Sequence, residues 1–429
     1  MKLLLISHNP ICSYNGMGIT FASLLSGFDP SELCQLYIYP SYPDMDRCAS
    51  YYRVTDKEVL GSLFHRGTPG GPVPGRQIHS RQSRYEDERD EALYRQPRNK
   101  KPLRRLGRDL LWRLSGWYSP ALRAWLERER PDRILVAPGA GRFLYDMALR
   151  ISDDLKIPIA VYLCDEYYFT PERKDPAGRL QRKLLRKKME ELLSKASLLV
   201  TISEELRAAY SARFSLPVSV IMTGSTLPRA RGQASAEDPQ TLCYFGNVRS
   251  NRYRSLIEIG RCLDEINREQ GSAYRLRIHT FEKDPGILGR LQEVGSIELP
   301  GFLQGDAFTG ALLSAGVLIH VESFDKESME KVKNSVSTKI ADSLASGVPL
   351  LAYGPPGLAS IEHLRRHQCA FLCTAPDRLR ETLLRALTDR EARSSVVSNA
   401  LETAAAFHDS AENSRRLYRL LEAIGGDAF

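Results

Sequence analysis

Short apolar runs alternate with stretches of helical patterning along most of the chain. Lys2–Ser7, Leu33–Tyr39, Arg133–Ala137, Pro158–Cys164, Leu198–Ile202 and Val218–Met222 each read as a buried strand. Between them the spacing predicts helices over about Ile19–Phe28, Asp56–Phe64, Gly141–Asp153 and Pro176–Ala196, and one running from a Ser203 cap to about Phe214. Thr223–Gln240 is poor in large apolar residues and reads as a linker. The pattern then restarts, with strands at Leu242–Phe245, Tyr274–Phe281, Ile297–Leu299, Val317–Val321, Val348–Ala352 and Ala370–Cys373. Helices are expected over about Ser255–Arg268, up to Val294, over Ala307–Ala315 and on to the C-terminus. Repeated strand–helix units of this kind imply an α/β protein with doubly wound parallel sheets, whose ligands gather at the carboxyl ends of the strands. The boundaries predict one domain over residues 1–225 and a second over 241–429, with the last helix, Glu412–Ala423, able to pack back on the first.

Regularity breaks between Arg66 and Arg130. Gly67–Gly75 is a Pro/Gly tract and predicts a mobile loop. In the basic stretch that follows, Leu103, Leu106, Leu110, Leu111 and Leu114 recur at helical spacing among Arg104, Arg105, Arg108 and Arg113, with Trp112 and Trp117 nearby. Two readings stand: a basic amphipathic helix lying on an anionic membrane surface through residues 98–118, or a helix packed on its own domain with a solvated arginine face.

Charge sharpens the first of these. The chain of 429 residues carries a formal net charge of +8. Residues 66–130 hold sixteen Lys/Arg against eight Asp/Glu, a surplus equal to the whole excess, so an anionic partner acts locally. Nucleic acid lacks support as that partner, since no RNP, zinc-finger or helix-turn-helix pattern occurs, and none is expected; phosphate groups and an acidic membrane surface are the main choices. With 42% hydrophobic and 26% charged residues the chain reads as a soluble globular protein. No run approaches the roughly 18 apolar residues of a membrane span. The apolar run after Met1-Lys2 is too short for a signal peptide and meets His8, Asn9 and Pro10, so it reads as a first buried strand. Eight cysteines without a CxxC pair read as reduced thiols in a cytoplasm.

Chemistry concentrates in Ile319–Gly354, which reads as strand, polar loop, short helix, strand. Ser337 or Thr338 can cap the helix, and Gly347 and Pro349 end it. Lys339, Asp342, Ser343 and Ser346 share one arc of the wheel, opposite Ile340, Ala341, Leu344 and Ala345. A cation, a carboxylate three residues on and a helix N-terminus suit a ligand with a phosphate at one end and vicinal hydroxyls at the other. A nucleotide sugar is such a ligand; an ordinary buried crossover with a polar outer face is the alternative. Gly16 and Gly18 allow a backbone to approach a ligand closely. His279 ends a strand where a base could sit. His363 and His367 are four residues apart but lack the glutamate of HExxH and a third ligand, so they read as surface residues beside Arg365 and Arg366 rather than a zinc site.

With YFGNVRSNRYRSLIEI, IELPGFL and STKIADSLASGVPLLAYGP in the second half, and LLLISHNP…GMG and LLVTISEEL in the first, the chain resembles the GT-B-fold retaining glycosyltransferases of the large "group 1" class, of the bacterial surface-polysaccharide type. The resemblance implies two Rossmann-like doubly wound domains facing across a cleft, acceptor in the first and donor in the second. It assigns Asp342 to the donor ribose, although glutamate is usual there. Ser337, Thr338 and Lys339 go to the diphosphate, with Arg249 and Arg252 after the first strand of the second domain, Gly246 beside them and Gly16 and Gly18 opposite. Arg249, Arg252 and Lys339 would support the leaving group, with no metal and no cofactor. The first glutamate of the usual E-x7-E pattern falls on Asn334, with Glu322 and Glu327 out of register, and the usual histidine after Arg133–Ala137 is replaced by Pro138 and Gly139. His8, Asp165 and Glu166 remain as acceptor-side candidates.

The expectation is a cytoplasmic enzyme, peripheral at the inner face of a membrane, moving a sugar from a nucleoside-diphosphate sugar to a glycan or lipid-linked acceptor. A nucleotide-sugar epimerase and a non-catalytic scaffold or glycan-binding subunit of the same fold are the alternatives.

Overall fold

Strands with nearly unbroken apolar sequence are those that a parallel sheet buries on both faces, and the computed structural model of the chain places them so. It describes residues 1–64, 67–75, 102–170, 175–225, 227 and 238–424. Two units separate by their internal contacts, Met1–Ile221 with Ala411–Phe429, and Met222–Ser410.

Among the described residues the first unit has an eight-stranded sheet in the order β4-β3-β2-β1-β5-β6-β7-β8. The strands are β1 (Leu3–Ser7), β2 (Leu33–Tyr37), β3 (Ser50–Arg53), β4 (Gly71–Pro72), β5 (Arg133–Val136), β6 (Ile159–Leu163), β7 (Leu198–Thr201) and β8 (Val218–Val220). All pair in parallel except β3 with β4. The strand β3 and the helix Pro120–Glu129 escape the sequence pattern. The Pro/Gly tract, expected as a mobile loop, supplies β4 at the sheet edge, where a proline costs no ladder bond. Gly70 allows the turn into it at φ +81°, since a Cβ there would lie 2.6 Å from Val54 Cγ2. The C-terminal helix Ser410–Ala423 buries Leu417 and Leu421 in the first unit's core. Its Ser414 Oγ accepts from Gly27 N at 2.9 Å, and Tyr418 packs on Phe28 at 5.0 Å.

The second unit has a six-stranded, wholly parallel sheet in the order β11-β10-β9-β12-β13-β14. These strands are β9 (Asp238–Phe245), β10 (Arg275–His279), β11 (Ile297–Glu298), β12 (Ala315–Val321), β13 (Leu350–Tyr353) and β14 (Phe371–Cys373). Separate apolar layers cover its two faces, one around Leu256, Ile259 and Leu383 and the other around Leu312, Ile340 and Leu344. The loop after β12, read from the sequence as a polar loop, contains a further helix, Lys326–Val332, whose Met329 and Val332 pack on the second unit's core.

His363 corrects its surface assignment. The helix Ala359–Arg366 turns Arg365 and Arg366 outward, and His363 is buried with Ile361 and Leu364. Its Nε2 lies 3.0 Å from His408 Nε2, and His408 Nδ1 lies 2.9 Å from the Thr223 carbonyl oxygen. A carbonyl only accepts, so His408 carries a proton on Nδ1; with burial keeping both imidazoles neutral, its Nε2 accepts the proton of His363 Nε2. Burial holds His363 down at about 3 and His408 at about 4, against an ordinary 6.5.

Two predictions follow from this packing. The helix Gly16–Leu24 starts under an Asn15 cap that accepts from Gly18 N at 2.7 Å. A Cβ on Gly18 would meet Cys12 Sγ at 2.4 Å and Pro10 O at 2.8 Å, whereas one on Gly16 meets nothing within 4 Å. Gly18→Ala should destabilise the first unit by about 1–3 kcal/mol and Gly16→Ala should leave it unchanged, as read by tryptophan fluorescence in urea. All three tryptophans, Trp112, Trp117 and Trp125, lie in this unit. In the second unit the His363–His408 contribution is complete above the unfolded pKa of 6.5 and drains as pH falls toward the folded values. Lowering pH from neutral to about 5 should cost on the order of 2–4 kcal/mol through this pair. Circular-dichroism melts of wild type and His363→Gln/His408→Gln check it, the variant showing the flatter pH dependence.

Candidate functional site

The donor residues assigned to the second unit lie at the carboxyl ends of its strands, where a parallel sheet exposes its loops. Gly246 follows β9 at φ +152°, donates to His279 O at 3.0 Å, and a Cβ there would crowd Tyr244 Oη at 3.3 Å. Ser250 and Asn251 are both left-handed, at φ 53° and 60°, and the helix Arg252–Gln270 begins without a side-chain cap. Its first-turn amides go to the loop instead, Tyr253 N donating to Val248 O and Arg254 N to Asn251 O, each at 3.0 Å.

This turn projects two arginines, and each meets a carboxylate. Arg249 donates from Nε and Nη2 to Glu282 at 2.6 and 3.0 Å. Arg249 is 59% exposed, Glu282 is buried, and the guanidinium holds the Glu282 carboxyl down at about 2. Arg252 donates from Nε and Nη2 to Glu322, both at 2.9 Å. Here burial pushes the Glu322 carboxyl up and Arg252 opposes it. His320 Nε2 stands 3.7 Å from Glu322 without a hydrogen bond, and burial, aided by Arg252, holds the imidazole neutral with its pKa down at about 3. It is a neighbour of the pair and not a third charge.

Lys339 differs from both arginines. It is exposed in the first turn of the helix Thr338–Ala345, which Ser337 caps by accepting from Lys339 N at 3.4 Å. Among the described residues no carboxylate lies within ion-pair distance of it, and its Nζ sits 5.6 Å over the Phe308 ring. Phe308 meets Phe245 edge-on at 5.0 Å, and Phe245 stacks on His279 at 4.8 Å, so a run of rings joins Lys339 to His279. His279 Nδ1 lies 3.1 Å from Gly301 O and so carries the proton, while burial lowers its pKa. A cavity of about 420 Å³ opens beside it, lined by Arg277, Glu298 and Pro300 among others, but not by Lys339 or the two arginines. Thr338 is exposed and Asp342 half-buried one turn on. Asp342 Oδ1 accepts from Ser225 Oγ at 2.9 Å; burial raises its carboxyl, with Ser225 and Lys339 opposing.

In the first unit the assigned residues are more dispersed in role. His8, half-buried after β1, has Nδ1 3.2 Å from Asn9 Oδ1 and its ring 5.7 Å from Tyr39. Asp165 is exposed after β6. Glu166 is a brace: its Oε1 accepts from Tyr168 N, Phe169 N and Tyr210 Oη at 2.5, 2.7 and 3.3 Å. Gly16 is exposed, whereas the glycine at position 18 is required by its own loop. Among the described residues no cluster of three metal-ligating side chains occurs.

Sequence reasoning missed Glu282, Ser225 and Phe308, and left Glu322 as an out-of-register neighbour. Each meets its partner across 31 to 117 residues, so spacing could not find them. The available signal was a glutamate placed just past the end of each of two strands, β10 and β12.

No protein-family model and no curated protein sequence matches the chain. Solved structures do. A sucrose-phosphate synthase from Thermosynechococcus elongatus aligns with a TM-score of 0.65 at 12% identity, covering 99% of this chain and 100% of that one. Anabaena HepE in complex with UDP gives 0.62 at 12% identity, with 99% and 100% covered. A UDP-forming α,α-trehalose-phosphate synthase from Burkholderia xenovorans, in complex with glucose-6-phosphate, gives 0.59 at 12%, with 98% and 100% covered. At this identity the likeness establishes the fold: the chain is an α/β protein of two Rossmann-like parallel sheets, of the GT-B type.

Proposed function

We propose that the protein is a retaining glycosyltransferase that moves a sugar from a nucleoside-diphosphate sugar to a glycan or lipid-linked acceptor in surface-polysaccharide synthesis. The observation that carries this reading is the group at the carboxyl ends of the second sheet. An exposed Lys339, with no ion pair among the described residues, stands one turn from a half-buried Asp342, on the same unit as two arginines held by carboxylates. That set answers a diphosphate and vicinal hydroxyls. The GT-B structures that resemble this chain include one solved with UDP and one with UDP-glucose, so UDP-glucose is the first donor to try.

In the proposed reaction the bond from the anomeric carbon to the diphosphate oxygen breaks and the acceptor oxygen forms a bond on the same face. The acceptor proton leaves on the departing diphosphate. Negative charge grows on that diphosphate, and fixed cations stabilise it there without any metal ion. Lys339 carries most of this task, because Glu282 and Glu322 already neutralise Arg249 and Arg252. Asp342 exchanges Ser225 for ribose hydroxyls, and His279 stands at the base end. The first unit takes the acceptor, with His8 and Asp165 as its polar groups, at the inner face of an anionic membrane.

The full chain, screened against nucleotide sugars for thermal shift, nucleotide release and product sugar, tests the reading. A saturating donor should stabilise it by about 2.7 kcal/mol at a hundredfold excess over Kd. No shift with any nucleotide or nucleotide sugar sinks it, and an altered sugar without nucleotide release makes the protein an epimerase. Lys339→Ala should weaken nucleotide-diphosphate binding about tenfold or more and Asp342→Ala about tenfold, each of these being charge-assisted contacts. Glu282→Gln should tighten it severalfold by releasing the charge of Arg249, measured by calorimetric titration. Transfer should persist in excess chelator.

A further inference from the structure

The helix Pro102–Leu114 is folded onto the first unit with its amphipathic faces reversed. Its buried residues are polar and aromatic, Asp109 and Trp112, with Leu106 and Leu111 half-buried beside them. Trp112, fully buried, donates from Nε1 to Asp56 Oδ1 at 2.7 Å and stacks on Phe143 at 4.7 Å. Arg108 Nε donates to the same Asp56 oxygen at 2.9 Å. Asp109, buried, accepts from Arg142 N and Arg142 Nε, both at 2.9 Å. The outward side holds three of the helix's five leucines: Leu103, Leu110 and Leu114 are 71%, 54% and 64% exposed.

At 100° per residue these three leucines fall within an arc of about 40°, over a length of about 16 Å. Arg104 and Arg113 stand about 80–100° to either side, both exposed and with no ion-pair partner among the described residues. The helix's one carboxylate, Asp109, is the group turned inward. An apolar ridge bordered on both flanks by exposed cations, with its acid withdrawn, complements a surface that offers apolar depth below and negative charge at the level of the flanks. An anionic lipid bilayer offers both.

We propose that Leu103, Leu110 and Leu114 insert into the headgroup–acyl boundary of an anionic bilayer while Arg104 and Arg113 bind its lipid phosphates. The Asp56–Trp112 and Asp109–Arg142 bonds hold the ridge rigidly to the first unit, so the docked bilayer fixes that unit's orientation. This inference names the residues behind the membrane contact of the proposed function and does not depend on which sugar is transferred.

Vesicle co-sedimentation of the full chain tests it without any activity assay. Wild type should bind phosphatidylcholine vesicles containing about one-quarter phosphatidylglycerol and bind pure phosphatidylcholine weakly. Leu103→Ser/Leu110→Ser/Leu114→Ser should lower the anionic binding about tenfold or more with an unchanged melting temperature, since the three side chains are already in water. Arg104→Gln/Arg113→Gln should weaken the binding and its salt dependence while preserving the melt. Failure of wild type to bind anionic vesicles overturns the proposal. So does binding that ignores the leucines, which would make attachment electrostatic and seated elsewhere, and so does a wild-type dimer that the leucine substitutions dissociate, which would make the ridge a contact between copies. Vesicle binding without nucleotide binding would leave this inference standing and remove the transferase reading.

Discussion

A buried carboxylate at the end of a central strand has to be answered by a cation, and in the second unit that pair is Glu322 with Arg252. β12 lies between β9 and β13, so Glu322 emerges at the middle of the sheet with its side chain 4% exposed. Leaving it unpaired would cost on the order of 3–5 kcal/mol, because a charge removed from water keeps the penalty and loses the compensation. The bidentate geometry demands that Arg252 enter from one direction, and so sets where its helix begins. The consecutive left-handed residues Ser250 and Asn251 are the backbone's means of getting there. Ser255 Oγ, donating to the Glu322 carbonyl at 2.9 Å, ties the same helix to the strand a second time. Gly246 and the Asn247 turn are therefore consequences of the pair as much as features of a ligand loop.

This constraint separates the three cations that sequence reasoning grouped together. Arg252 is committed to Glu322 and Arg249 to Glu282, so each contributes geometry with its formal charge offset. Lys339 has no such ion pair among the described residues; it lies over the Phe308 ring, one turn from the half-buried Asp342. Asp342 in turn leads to the places where the chain passes between its units. Ser225, its hydrogen-bond donor, gives its N–H to His408 O at 2.7 Å and accepts from Ser410 Oγ at 2.7 Å. His408 reaches Thr223 O and His363. The Ser225–Asp342 bond is thus continuous with the contacts that hold residues 223–225 to residues 408–410.

The strands of both sheets were legible because parallel strands buried on both faces are continuous apolar runs, and the helices because one stripe of each is apolar. What escaped was short or edge-placed. β3 carries Ser50 and Arg53 at its ends, and β4 is two residues of a Pro/Gly tract whose pairing depends on β3 being there first. In the site, Lys339 and Asp342 could be found together because a single helical turn brings them together. Glu282 and Glu322 could not be joined to Arg249 and Arg252, since which strand neighbours which is fixed by sheet order and not by spacing. His363 shows the same limit. Four arginine and histidine residues in a row of five suggested solvent, and only the fold reveals that His408 waits on the other side.

The helix Pro102–Leu114 marks where periodicity is silent in a different way. Its leucine stripe was evident, and the usual reading of such a stripe is that it faces the core. Direction, however, depends on what the opposing surface offers. Asp56, Phe143 and Arg142 offer a carboxylate, a ring and a cation, which match Arg108, Trp112 and Asp109 better than they match leucine. Specific polar pairing has outweighed apolar burial here, and a helix can afford that orientation when its apolar side has another solvent to enter. The reversed helix and the bilayer that would receive it are one inference, because the same three inward contacts that expose the leucines also hold them in a line.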